Sequence, residues 1–300
     1  MPEAGGTPRA HAAAGVVLIL AASMVFAAPD SSVRWLGPAL PVLLMLWWRY
    51  ATQAMVMAVW LALDRARGFR PRQPRFQALR GALLLATSVL NFVGLQRMPV
   101  AEFTAIVMLA PMIATLLAAW LLHERVGPLR WALVTLAFAG ALVVIRPGSG
   151  LFGWAVLYAL GSAATYASFQ VLTRRMSAHD DPLVTHFWTG LFGTAAVLPV
   201  FVLFGADAAA QALAVATPAA WAGLVAIGMF GTVGHLLLVF AFRFGAASTL
   251  APFTYTQIGW AMLFGWLLMG ALPDALAWVG IAMIAASGAA TAWLNVRGAR

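Results

Sequence analysis

The chain of 300 residues has no cysteine and no lysine, and only 9% of its residues are charged. Without cysteine there is no disulfide, no thiolate nucleophile and no cysteine-built metal site. Without lysine no phosphate-binding loop of the form GxxxxGK(S/T) can occur, so the sequence offers no recognisable seat for ATP. The HExxH pair of a zinc hydrolase is missing as well. The nine acidic residues are scattered, most of them at the ends of apolar stretches, rather than paired for acid–base work. An intramembrane enzyme is therefore the least favoured reading, and neither a cofactor nor a metal ion is expected. A soluble domain carries about 25% charged residues, so charge this sparse excludes that class.

What fills the chain is apolar: 63% of residues are hydrophobic and the mean hydropathy is +0.90. This composition specifies an all-α polytopic membrane protein. The formal net charge is +9 and every basic residue is arginine. In a soluble protein such an excess would suggest nucleic acid. Here the collection of basic residues in cytoplasmic loops explains it, and no nucleic-acid partner is expected.

Ten spans are expected, roughly 13–33, 39–63, 76–96, 101–122, 128–145, 151–173, 183–204, 218–242, 247–269 and 274–295. Each is long enough for a hydrocarbon core about 30 Å thick. The first resembles a signal-peptide core, but it runs on into the multi-span pattern. With a cytoplasmic amino terminus, fourteen arginines fall on the inner side, Arg80 among them. Only Arg34, Arg97 and Arg146 fall outside, and Arg49 lies within a span. That asymmetry places both termini in the cytoplasm.

The fourth span, AEFTAIVMLAPMIATLLAAWLLHER, carries Pro111 at its centre, where a bend is expected. Glu124 closes its inner end and is expected to pair with Arg125 or Arg130. The stretch has a second copy. A shift of 146 residues carries Arg97, Ala101, Ala105, Leu117 and Trp120 onto Arg243, Ala247, Ala251, Leu263 and Trp266. Nearer the start, a shift of 140 carries Val16, Leu20, Ala27 and Trp48 onto Val156, Leu160, Ala167 and Trp188. The expected domains are thus two five-helix repeats, 1–148 and 149–300. Five is odd, so the second repeat enters the membrane inverted, an arrangement that places a substrate site near the midplane.

The fourth-span pattern, Phe26 to Trp35, the WWRY at 47–50 and the stretch ending AFAGALVVIRPG resemble the drug/metabolite transporter superfamily, EamA-type, ten-helix branch. The second half departs from it, with Gly270 where the first has Glu124 and Gln257 where the first has Pro111. The resemblance implies a carrier of small organic molecules in a bacterial inner membrane, acting as a monomer or homodimer. It implies a cavity lined mainly by the first, third, fourth, sixth, eighth and ninth spans. A secondary transporter of an amino acid or related metabolite, working as an exporter, is the leading expectation. A flippase for lipids or lipid-linked metabolites is the alternative.

Polar groups inside spans cost free energy and mark candidate sites. Asn91 shares a helical face with Thr87 and Ser88, Tyr166 and Gln170 are one turn apart, and His235 lies deep in the eighth span. Tyr255, Gln257 and Trp260 cluster in the ninth span. These seven are the candidate substrate contacts, with interhelical hydrogen bonding as the competing role. Asp30 and Arg34, four residues apart, form either an entrance ion pair or an interfacial one. Arg49, among Trp47, Trp48 and Tyr50, either meets substrate or snorkels to the outer interface.

Overall fold

A computed structural model describes residues 8–64, 68–121, 127–146, 149, 152–176, 181–244 and 253–298. All regular structure among the described residues is helical. The helices are α1 (Pro8–Leu36), α2 (Val42–Leu63), α3 (Pro74–Leu95), α4 (Val100–Val107), α5 (Ala110–Leu121), α6 (Pro128–Ile145) and α7 (Val156–Met176). They continue as α8 (Pro182–Phe204), α9 (Ala206–Ala214), α10 (Pro218–Phe244), α11 (Thr256–Met269) and α12 (Ala275–Gly298). Six helical stretches have the length and apolarity to cross a membrane: Ala14–Leu36, Val42–Leu63, Pro74–Leu95, Gly153–Thr173, Pro182–Phe204 and Pro218–Leu238. Shorter apolar ones cover Val100–Ala114, Trp131–Ile145, Thr256–Met269 and Ala275–Thr291. The protein is a polytopic, all-helical membrane protein.

Local chemistry sets the helix ends. Proline, which needs no donor in the first turn, opens α3, α6 and α8. The Asp181 carboxylate caps α8 by accepting from the Leu183 N–H at 2.8 Å, and Asp274 caps α12 through the Ala277 N–H at 2.8 Å. Gly270 ends α11 in the left-handed region at φ 65°, where a side chain would be strained. Between α4 and α5 the chain turns at Met108–Leu109. Pro111 has no N–H to give the Val107 carbonyl and its ring crowds that carbonyl, so the helix breaks just ahead of it. Buried α4 can tolerate the break because protein surrounds it.

Helices pair across the sequence rather than along it. α1 lies against α10 and α11, α2 against α8 and α10, and α3 against α7 and α8. α4 packs on α11 and α7, α5 on α7, and α6 on α12. At the α6–α12 crossing a Cβ on Gly140 would lie 2.8 Å from the Gly280 carbonyl oxygen, so glycine permits that backbone approach. Large apolar side chains such as Leu63, Leu203 and Phe204 point outward, as a lipid solvent demands.

Several expectations change. Arg34 donates to the carbonyls of Leu95 and Gln96, so it ties α1 to the end of α3. Asp30 turns inward instead of pairing with it. Arg80, counted among the inner-side charges, is 7% exposed and lies inside the bundle. The expected Glu124 cap and its arginine partners lie outside the described residues or side chains.

Candidate functional site

One cavity of about 90 Å³ lies between α1, α2, α3, α4, α7, α10 and α11. Asp30, Arg49, Asn91, Tyr166, His235 and Gln257 all line it. The spans implied by the family resemblance are represented, with α2 added through Arg49. Aromatic walls come from Phe26, Phe92 and Phe103, which the sequence reading did not single out. Their signal there is that of any core phenylalanine.

Arg49 is held from below. Its guanidinium donates to the Ser88 hydroxyl and lies 4.9 Å from the centre of the Tyr50 ring. The Tyr50 hydroxyl also bonds Ser88, at 2.8 Å, and Ser88 in turn donates to the Leu84 carbonyl. A side chain so anchored does not snorkel; it presents a fixed cation to the cavity. Opposite, Asp30 and Gln257 line the same cavity, and the Asp30 carboxylate feels the Arg49 charge. Pro29, beside Asp30, cannot donate to the Val25 carbonyl, so backbone polarity is freed next to the carboxylate. Asn91 accepts from Ser162, and Thr87 donates to Thr165 at 2.9 Å, which joins α3 to α7 along the cavity wall.

The other candidates stand apart. Gln170 is one turn after Tyr166 on α7. Trp260 is half-buried and stacks on Phe264 with ring centres 6.3 Å apart. Tyr255 packs over Gly288 of α12, where any Cβ would collide with its ring. None of these three lines the cavity.

Toward the Pro74 end of α3 a second polar layer follows. The rings of His186 and His235 stack with centres 5.5 Å apart. The Gln53 amide nitrogen donates to the His186 carbonyl at 2.9 Å and lies 3.2 Å from its Nδ1. That Nδ1 therefore accepts, which assigns the proton to Nε2. His235 Nδ1 faces the Gly231 carbonyl at 3.0 Å, so His235 carries its proton on Nδ1 and keeps a lone pair on Nε2. Beyond the histidines, Gln77 and Arg80 of α3 reach the threonines of α7 and α8. At the opposite face Arg146 forms an ion pair with Asp274, and the Arg97 guanidinium lies 5.3 Å from the Tyr158 ring centre. The bond from Arg146 holds the Asp274 carboxyl below the usual carboxylate range.

A larger hollow, about 580 Å³, is lined only by α2 and the residue after it, from Val56 to Asp64. With one helix for a wall it is a surface groove and carries no site.

The family model described as the EamA-like transporter family matches residues 13–146 and again 153–292. The chain belongs to the EamA-like transporter family. This EamA protein is 27% identical over 277 residues to the riboflavin transporter of Rhizobium johnstonii, covering 91% of this chain and 89% of that one. It is 26% identical over 272 residues to the pseudopaline exporter CntI of Pseudomonas aeruginosa, covering 90% and 93%. A crystal structure 22% identical in sequence superposes with a TM-score of 0.65 over 97% of this chain and 99% of the other, and shares the fold. As an EamA protein the chain is a membrane transporter of small molecules and not an enzyme.

Proposed function

We propose that this protein is a secondary active transporter of the bacterial inner membrane, with ten spans in two inverted repeats, 1–148 and 149–300, and both termini cytoplasmic. The packing supports the division into two repeats. Exchanging each helix for its counterpart in the other half turns the α1–α10 contact into α7–α3 and the α2–α10 contact into α8–α3, and both members of each pair occur. The double family match supports the same division.

The substrate reading rests on one observation: a fixed Arg49 and an inward Asp30 share a single aromatic-walled cavity. Opposed charges with flat apolar walls between them suit a zwitterionic small metabolite, an amino acid or related compound, and the proposed direction is export. The ring of seven helices favours a solute carrier over a lipid flippase, which needs a lateral opening. A riboflavin-like vitamin is a second reading, favoured by the name of the Rhizobium relative. The cavity holds only a few waters at about 90 Å³, whereas ligand sites usually measure about 300–1,000 Å³. Binding therefore requires the helices to part.

The test is counterflow into vesicles holding the purified protein, with labelled amino acids and labelled riboflavin run side by side. A substrate or pH gradient is expected to drive flux without ATP. Flux that requires ATP under an imposed gradient would overturn the secondary mechanism. Riboflavin flux without amino-acid flux would replace the first substrate reading with the second.

A further inference from the structure

Among the described residues, Arg80 is a buried cation bonded by neutral groups. Its Nε donates to Thr173 Oγ1 at 2.7 Å, and its Nη1 donates to Thr189 Oγ1 at 2.6 Å and to the Thr185 carbonyl at 3.3 Å. Its flat face lies 4.6 Å from the Phe169 ring centre. Among the described residues no carboxylate bonds to it, and these bonds leave Nη2 unused. A charge taken out of water without an opposite charge is costly, and a merely structural tie between helices would serve as well with a neutral amide. Arg80 sits eight residues before Ser88 on α3, about 12 Å along the helix from the anchor of Arg49. Between the two arginines stand His186 and His235, and both arginines act electrostatically on both rings. From the Pro74 end of α3 to the central cavity the route therefore runs cation, neutral imidazoles, cation. Asp181 caps α8 one turn before Thr185, and in the cavity itself the carboxylate is Asp30.

We propose that Arg80 is an inner binding station for the carboxylate of the substrate, one level to the cytoplasmic side of Arg49. A planar guanidinium with an open N–H edge takes a carboxylate in two parallel hydrogen bonds. As the inner face opens, Thr185 and Thr189 of α8 draw away and the substrate carboxylate takes their place. The substrate then moves past the imidazoles to Arg49. The threonine hydroxyls hold the guanidinium in position in the closed state. This inference rests on the inward orientation and the carboxylate-bearing substrate proposed above.

The chain has no cysteine, so one introduced thiol reports alone. Thr189→Cys places it at Arg80 while Thr173 and Thr185 keep the guanidinium in position. Inside-out vesicles are treated with methanethiosulfonates of similar size, one bearing a sulfonate and one a trimethylammonium group. The sulfonate is expected to react at least about tenfold faster once intrinsic reactivity is divided out. Arg80→Lys should keep that preference and Arg80→Gln should abolish it. Equal rates, no reaction with either reagent, or a preference that survives Arg80→Gln would overturn the station. Reaction confined to right-side-out vesicles would overturn the orientation and, with it, the inner placement. No substrate enters this measurement, so it stands or falls apart from the counterflow experiment.

Discussion

At the scale of single residues, Arg49 shows how position within a span misleads when its partners are unknown. Its neighbours Trp47, Trp48 and Tyr50 look like an interfacial belt, yet it is 9% exposed and fixed by Ser88 and Tyr50. A hydrogen bond to a charged group contributes about 1.5–3 kcal/mol. Arg49→Ala should therefore lower kcat/KM about tenfold to a hundredfold with folded protein near normal, and Asp30→Asn and Gln257→Ala should act in the same direction. Trp260→Ala should leave transport almost unchanged, because that ring stacks on Phe264 outside the cavity. Counterflow rates against substrate concentration check all four. The outer ion pair gives a pH prediction. Asp274 has a depressed carboxyl, so the contribution of its pair with Arg146 is complete above the ordinary aspartate value near 3.9. It fades only as the pH falls through the lower native value. The difference in melting temperature between the natural chain and Asp274→Asn should stay constant from pH 8 to 5 and shrink in high salt, since the pair is exposed.

At the scale of elements, the break before Pro111 and the crossing of Gly140 with Gly280 are the two places where backbone chemistry sets packing. Pro111→Ala restores the missing donor to the Val107 carbonyl. It should straighten α4 into α5 and slow transport more than it lowers thermal stability. Gly280→Leu forces α6 from α12, and overpacking of this kind costs roughly 1–3 kcal/mol. The loss should appear as a lower melting temperature in detergent. These elements also show how much was legible beforehand. The Thr87–Ser88–Asn91 face follows from helical period alone and does line the cavity. Pro111 marked its bend by missing a donor. Tyr255 does not line the cavity: it sits on a turn just before α11 and drops into the notch over Gly288. The His186–His235 stack was not legible, since nothing local couples residues 49 apart on different helices. Arg80 was counted among the inner-side charges although it lies within the expected span 76–96; the interior threonines that receive it are 93 and 109 positions away.

At the scale of the whole molecule, long α-helices and apolar faces were legible in composition and spacing. The cross-half pairing was not, because it depends on side-chain fit between distant segments. Orientation is the firmest expectation still to be measured. Cysteines at Arg70 and at Asp207, the latter in the short helix α9, are suited to it because the chain has none of its own. An impermeant thiol reagent outside intact cells should label position 207 and spare position 70. The reverse pattern would invert the proposed topology.

The narrowness of the cavity has a consequence for the cell's energy supply. Room for only a few waters, with Arg49 in the cavity wall and Arg80 beyond it, gives sodium and potassium no aqueous wire and places two electrostatic barriers in their way. A carrier built like this insulates while it waits. Vesicles filled with the protein should hold a potassium diffusion potential as long as protein-free vesicles do, read with a voltage-sensitive dye. Arg49→Ala and Arg80→Gln together should make them leak.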